Sequence, residues 1–288
     1  MSVCDVNADG WPDLYVCEVT GYKGLKGKNR LFVHQGLDES GLPVFEEKAA
    51  EYGLDARGFG QKAVWLDYDR DSDLDMFLLQ HTVHNPTNYE PRAQALAQRD
   101  SASADRLFRN ESGTFVDVSE AAGLNGGRLG YGLDVSVADI NLDGWPDLFI
   151  SNDFHENDYL YLNQKNGSFR EVAAEVFSGM SQFSMGNSVA DLNADGLPEI
   201  ASLDMRPPTD SIRKRSEGPN AFDIFEYKLT FGYAPQLPRN HVHLQQALMP
   251  RASRALPKPA ARWASKPPTG AGPSCPLTST STAARTSL

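Results

Sequence analysis

Apolar and polar positions recur in the same order at several places along the chain. "RLFVHQG" (30–36) leads into "VFEEKAAEYGL", "RLFRNESGTFVDVSEAAGL" begins at Arg106, and "YLYLNQKNGSFREVAAEV" begins at Tyr159. Each reads as a short apolar strand, a glycine-containing turn and a second strand. Phe115-Val116-Asp117-Val118 shows the period-two alternation of a strand with one covered face. Another piece recurs as "GFGQKAVWLD" from Gly58, "GYGLDVSVAD" from Gly130 and "SMGNSVAD" from Ser184. Its glycines and alternating valines predict a strand that passes close to other backbones. Every unit then crosses an acidic loop into a short apolar run: "LYV", "MFLL", "LFI" or "IASL". Four strands per unit, repeated with regular spacing, predict an all-β architecture: a partial β-propeller of about four four-stranded repeats. Two stretches break the pattern and are expected to be short helical insertions: Glu90–Asp105, and Asn220–Leu229 with Phe222, Phe225 and Leu229 on one face.

The acidic loops carry the chemistry. Asp5-Asn7-Asp9-Gly10-Asp13 is followed by Asp67-Asp69-Asp71-Ser72-Asp75, Asp139-Asn141-Asp143-Gly144-Asp147 and Asp191-Asn193-Asp195-Gly196-Glu199. The four starts are 62, 72 and 52 residues apart. In a tight loop the first, third and fifth residues converge, and their hard oxygens suit Ca²⁺. Glycine at the sixth position allows a left-handed turn that brings the seventh residue's carbonyl (Trp11, Trp145 or Leu197) towards the ion. The ninth residue's carboxylate would close the sphere. The second loop departs from this scheme, with Ser72 for glycine at about 1 kcal/mol and Asp73 where a carbonyl would serve, and it is expected to bind in altered geometry or not at all.

A polar turn is the bland alternative for any one copy, since Asn, Asp and Gly all favour turns. Four copies argue otherwise. Two carboxylates about 4 Å apart repel by roughly 4 kcal/mol at an effective dielectric near 20. Zinc is a poor fit, because no Cys or His stands among the ligands.

Charge points the same way. The chain of 288 residues has a net charge of −11, and the loops hold 13 acidic residues at ligand positions. Four divalent cations would leave about −3. So acidic a chain is not expected to bind nucleic acid. No stretch reaches the about 18 apolar residues of a membrane span, and "MSVCDVNADG" has no signal-peptide pattern. Cys4 and Cys17 flank the first loop. A bridge between them is conceivable, and two inert buried thiols are the better expectation.

Other polar motifs are weaker. His81 and His84 read as a solvated loop. His155, amid Asn152, Asp153, Asn157 and Asp158, offers an edge-loop binding site or, more simply, a hydrogen-bonded turn. Nucleophile elbow, zincin, P-loop and dinucleotide motifs are all missing from the sequence, so no catalytic residue is assigned.

From residue 247 onward the composition changes, with six basic residues, seven prolines and no acid. Residues 1–246 are read as the repeat domain and 247–288 as a disordered tail. Shifting the reading frame can turn threonine codons into aspartate and alanine into glycine. Thr278, Thr280, Thr282, Ala283 and Thr286 then spell D-x-D-x-D-G-x-x-D. The expectation is a frameshift near Gln246, against a genuine Pro/Ser/Thr-rich tail. The gene's nucleotides decide between them.

On these loops the chain resembles the FG-GAP/VCBS repeat proteins with integrin-α-like propellers. "SMGNSVADLNADGLPEIASLDM" and "FGYAPQLPRN" resemble, more narrowly, the bacterial ASPIC/UnbV group related to cartilage acidic protein. The likeness covers roughly residues 3–246. It implies Ca²⁺ in the four loops, an extracellular or periplasmic home, and adhesion or binding of a protein or glycan. It also implies further blades in the full-length relative. A propeller-scaffold enzyme acting on polysaccharide through the Asn152–Asp158 cluster, and a truncated product with no function of its own, are the alternatives.

Overall fold

The computed structural model describes residues 1–84, 89–207, 209–213, 215, 222–246 and 262–265. Four antiparallel four-stranded sheets follow one another along the chain. The first holds β1 (Ser2–Cys4), β2 (Asp13–Val16), β3 (Arg30–Leu37) and β4 (Pro43–Glu47) in order, and α1 (Ala49–Tyr52) follows it. The second holds β5 (Gly60–Leu66), β6 (Asp75–Gln80), β7 (Arg106–Glu111) and β8 (Thr114–Asp117), with α2 (Arg92–Ala97) inserted before β7. The third holds β9 (Gly132–Ala138), β10 (Asp147–Asn152), β11 (Tyr159–Asn163) and β12 (Phe169–Glu171), trailed by α3 (Ala173–Val176). A short parallel pair, β13 (Met180–Ser181) with β16 (Gln236–Leu237), flanks the fourth sheet. That sheet runs β14 (Ser184–Ala190), β15 (Glu199–Asp204), β17 (His241–Gln246) and β18 (Arg262–Ser265). Between β15 and β16 lie α4 (Asp210–Arg213) and α5 (Phe222–Thr230).

These sheets are blades, and the three junctions between them make the core. Tyr15, Leu31 and Val33 of the first blade pack with Met76, Leu78 and Phe108 of the second. Phe77 and Leu79, on the opposite face of β6, pack with Leu148, Ile150, Tyr159 and Tyr161 of the third blade. Phe149 and Leu160 turn the other way, towards Ile200 of the fourth. This alternation explains the apolar runs "MFLL" and "LFI": β6 and β10 are buried at every position because each is covered on both faces. In the outer blades, β2 and β15 are fully buried on one face only.

The innermost strands meet along the axis, β5 against β1 and β9, and β9 against β14. There the Lys62 amine sits 2.6 Å from Asp134 Oδ1, and the Asn187 N–H donates to Asp134 Oδ2 at 3.1 Å, so one carboxylate joins three blades. The recurrent glycines mark close approaches, as expected. A Cβ at Gly132 would lie 2.4 Å from Leu79 Cδ1 and 3.0 Å from the Gln80 carbonyl. Gly58 combines φ +144 with the Ala102 carbonyl 2.5 Å from where a Cβ would stand.

Several expectations change in detail. Cys4 and Cys17 are free thiols, packed against the first junction, and burial pushes them up to about 12 and about 11. The first insertion is helical only over Arg92–Ala97, after which Asp100 turns the chain by accepting the Ala102 N–H at 2.9 Å. The second insertion is helical over Phe222–Thr230, with Phe222 72% exposed, Leu229 also facing solvent, Phe225 half-buried and Lys228 buried. The Lys228 amine is held there by Gln236 Oε1 at 2.7 Å, a partner supplied by the strand that follows. Of the expected tail, Arg262–Ser265 forms the strand paired with β17. The rest of 247–288, including the proposed shifted-frame residues, lies outside the described residues.

Candidate metal centres

Antiparallel order places all four acidic loops (β1–β2, β5–β6, β9–β10 and β14–β15) at one end of the blades. The other end is built from the β2–β3, β4–β5 and equivalent connections. Each acidic loop has the same backbone. Its fourth residue is left-handed (Ala8, Arg70, Leu142 and Ala194, φ +55, +62, +58 and +60), and so is the sixth (Gly10, Gly144 and Gly196, φ +90, +86 and +85). Ser72 keeps that conformation at φ +78 although it has a side chain. The left-handed fourth position was not read from the sequence, and Ala, Arg and Leu give no signal for it.

The first, third and fifth residues meet through a shared set of hydrogen bonds. Asp5 accepts the Asp9 and Gly10 N–H groups at 3.0 and 2.8 Å, and Asp9 accepts the Trp11 N–H at 2.8 Å. Asp139 accepts those of Asp143 and Gly144, and Asp191 those of Asp195 and Gly196. Asn7 and Asn141 each give an amide N–H to the fifth carboxylate, at 2.9 and 3.1 Å. These amides temper the like-charge repulsion within their loops.

The second loop has no such amide. Asp69 replaces asparagine, and oxygens of Asp67, Asp69 and Asp71 lie within 4.8 Å of one another. Oδ1 of Asp67, of Asp69 and of Asp73 is buried without a hydrogen-bond partner. Burial, then the neighbouring Asp71, pushes Asp69 above the ordinary carboxylate range. Burial and the hydrogen bond to Asp71 push Asp73 to about 6. The loop with the altered sixth residue therefore has the strongest unmet demand for positive charge. Hard oxygen donors with no partner fit a divalent cation such as Ca²⁺.

The ninth position behaves differently from the rest. Asp13, Asp75, Asp147 and Glu199 are all fully buried. Asp13 Oδ2 accepts the Val6 N–H and Oδ1 the His34 N–H, both at 2.8 Å. Asp75 bonds Tyr68 and Asn110 in the same way, and Asp147 bonds Ile140 and Asn163. Glu199 reaches the Leu192 N–H at 2.7 Å and the Asn193 amide at 3.0 Å. In the first three blades this carboxylate staples the start of the loop to the far end of the third strand. Burial outweighs the N–H donors and pushes Asp75 to about 7 and Asp147 to about 6.

The partners on the third strand recur too. Asn163 donates its amide to the Tyr68 carbonyl of the preceding blade at 2.7 Å, and Asn110 donates to the Leu74 carbonyl at 3.3 Å. "LFRN" and "LYLN" carried this signal as a polar residue closing an apolar strand.

The weaker motifs resolve plainly. His84 Nε2 pairs with Asp100 at 2.8 Å, and the His81 ring meets Tyr131 edge-on at 5.7 Å. The Asn152–Asp158 cluster is not an open edge site. Asn152, His155, Glu156, Asn157 and Asp158 are at most 2% exposed, with His155 among the rings of Tyr89, Tyr131 and Tyr233. Arg92 and Tyr233, from the two insertions, close over it, an event that local sequence did not reveal.

Blades in series, each with one acidic loop of this geometry, define an all-β, propeller-like repeat protein. Residues 95–150 and 139–202 match the FG-GAP-like repeat family. Integrin alpha-3 of Mus musculus is 27% identical over 134 residues, covering 42% of this chain and 12% of that protein. Integrin alpha-7 of Homo sapiens is 40% identical over 91 residues, covering 27% and 8%. The chain thus spans about a tenth of the length of the curated relatives it matches. An Agrocybe aegerita lectin, solved for its recognition of non-reducing terminal N-acetylglucosamine, superposes with a TM-score of 0.30 at 15% identity, over 70% of this chain and 60% of its own. So loose a superposition supports no inference about ligand. Over residues 95–202 the chain is thus similar to FG-GAP-like repeats, and over shorter stretches to integrin alpha subunits.

Proposed function

We propose that the chain is a non-catalytic, Ca²⁺-binding propeller module that works outside the cytoplasm in adhesion or in binding a protein or glycan. The observation that carries the metal reading is the second loop, with three carboxylates together and three buried oxygens lacking partners. In the first loop the ion would be held by Asp5, Asn7, Asp9, the Trp11 carbonyl and Asp13, and in the others by the equivalent residues. Bound there, it would supply the positive charge that converging carboxylates lack. The chain's own contribution is a prefolded turn with its fourth and sixth residues already left-handed.

The non-catalytic and extracellular parts of the proposal rest on likeness to integrin repeats, and the narrower ASPIC/UnbV kinship on the phrases quoted above. The cluster that an enzyme reading would use is closed to solvent. Because the ion would bind the folded loops and not the unfolded chain, a concentration 100 times Kd would stabilise by about 2.7 kcal/mol per site. Calorimetry on the folded chain should show Ca²⁺ uptake. Chelator should lower the melting temperature and added Ca²⁺ restore it. No uptake at millimolar Ca²⁺, with a melting temperature indifferent to chelator, would overturn the proposal.

A further inference from the structure

At the opposite end of the blades from the acidic loops, basic side chains gather. A cleft of about 740 Å³ lies between the first and second blades, lined by Thr20, Leu25, Lys26, Arg57, Ser101 and Arg106 together with glycines. It contains three cations and no carboxylate. An adjoining cleft of about 430 Å³ shares Lys26 and Arg57 and adds Lys28 and Arg30, with Glu47 as its one acid. In a chain of net charge −11, five cations gather around two joined hollows, with Glu18, Glu47, Asp55 and Asp117 beside them.

Their ion pairing is uneven. Arg30 pairs with Glu18 at 2.8 Å and Lys28 with Asp55 at 3.2 Å, and Arg106 has Asp117 only at 4.0 Å. Arg106 is held in place by the Arg57 and Ser101 carbonyls. Among the described residues, Lys26 and Arg57 form no ion pair, and both are exposed. The cleft therefore offers two unmatched positive charges beside a fixed guanidinium.

We propose that this cleft binds a segment of anionic polysaccharide carrying sulfate or uronate groups. The walls argue against an extended peptide. Several backbone N–H groups in and beside the walls are already used: Thr20 N–H by Gly58, Gly21 N–H by Leu25, Leu25 N–H by Tyr22, and Phe59 N–H by Ala102. A peptide strand would find no ladder there. Charges carried on the rings of a saccharide need only side-chain cations and an open trough. The assignment deepens the binding-module reading by naming a ligand class, and its chemistry does not depend on the metal loops.

The test is binding of a heparin hexasaccharide at low ionic strength, followed by calorimetry, with and without chelator in the same folded preparation. Binding is expected in both conditions and should weaken as salt rises, since exposed charges are screened. The double variant Lys26→Glu/Arg57→Glu changes two exposed side chains and should lose about tenfold or more in affinity. Lys48→Glu, beside the first acidic loop, should lose little. Failure of the unaltered chain to bind, or equal losses in both variants, would overturn the assignment. Because Ca²⁺ uptake is read in the same sample, failure of the metal proposal would show separately.

Discussion

Asp13 and Asp9, compared in chelator, separate the structural role of the first loop from its metal chemistry. Asp13→Asn keeps size and shape but replaces one acceptor oxygen by an NH₂ group. Both oxygens of the fully buried Asp13 accept backbone N–H groups, from Val6 and His34, at 2.8 Å. Whichever way the new amide turns, one buried N–H faces another donor. An unsatisfied buried donor costs about 1–3 kcal/mol, and the surviving bond loses its charge assistance, so about 2–3 kcal/mol is expected in total. For a chain of this size that corresponds to roughly 4–12 °C in melting temperature. Asp9→Asn is the counterpart, because Asp9 is exposed and bonds only within its own loop. With chelator present it should stay within about 0.5 kcal/mol of the parent chain. Urea unfolding followed by fluorescence suits the pair, since Trp65 sits at this junction with Nε1 3.1 Å from Ser2 Oγ and its ring against Tyr15. Equal stability of Asp13→Asn and the parent in chelator would refute the staple. With Ca²⁺ present, Asp9→Asn should forfeit the cation's stabilisation at that loop.

Three further outcomes follow from named atoms. Ser72→Gly should stabilise the chelated protein by about 0.5–1 kcal/mol, as the left-handed strain exceeds the added chain entropy, and a lower urea midpoint would contradict it. Gly132→Ala should destabilise by about 1–3 kcal/mol, because the new Cβ meets Leu79 at 2.4 Å; an unchanged midpoint would show that Leu79 can move aside. The pH profile should fall from 6.5 to 8. Burial pushes Asp105 to about 7 and Asp158 to about 8, above about 3.9 in the unfolded chain. The folded state thus holds protons that the unfolded state has lost, and that contribution vanishes as pH rises through the folded values. Burial pushes His243 down to about 3, so its contribution is complete above about 6.5. Lys228, lowered to about 8 by burial, adds stability only at higher pH. Urea midpoints of the chelated chain at the two ends of that window, and their flattening in Asp158→Asn, check the assignment; a rising profile would sink it.

Much of the fold was legible because it depends on local rules repeated four times. Period-two alternation marked outer strands such as β8, and unbroken apolar runs marked β6 and β10, which neighbours cover on both sides. Gly10, Gly144 and Gly196 announced the left-handed sixth position. Ala8, Leu142 and Ala194 adopt the same region without announcing it, because their conformation follows from the hydrogen bonds that the first carboxylate makes to the fifth and sixth N–H groups; Arg70 adopts it with only the sixth N–H bonded to Asp67. The role of Asp13 as a staple was hidden for a related reason. Its partner, the His34 N–H, lies 21 residues away, and the pairing exists only once three strands are in register. The insertions were the least legible. Their environment is set by contacts such as Tyr233 Oη to the Glu90 carbonyl, 143 residues apart, so helical periodicity alone did not show that Lys228 is the buried residue of α5.

The two proposed sites divide the molecule's charge along the blade axis. Strands such as β6 span six residues, about 20 Å at roughly 3.3 Å per residue. That separation exceeds the Debye length of about 8 Å at physiological ionic strength. Acidic loops at one end therefore do little to repel an anion at the other, although net charge alone suggests they should. The same distance limits what a bound cation can do electrostatically for the basic cleft. In the first three blades the ninth-position carboxylate ties the loop to the third strand, and in the first blade β2 and β3 run from there to the connection that carries Lys26 and Lys28, with Arg30 opening β3. With those strands held by the chain's own hydrogen bonds, the cleft is expected to keep its affinity when chelator empties the loops, and the field of an ion there would be spent within its own end of the blade.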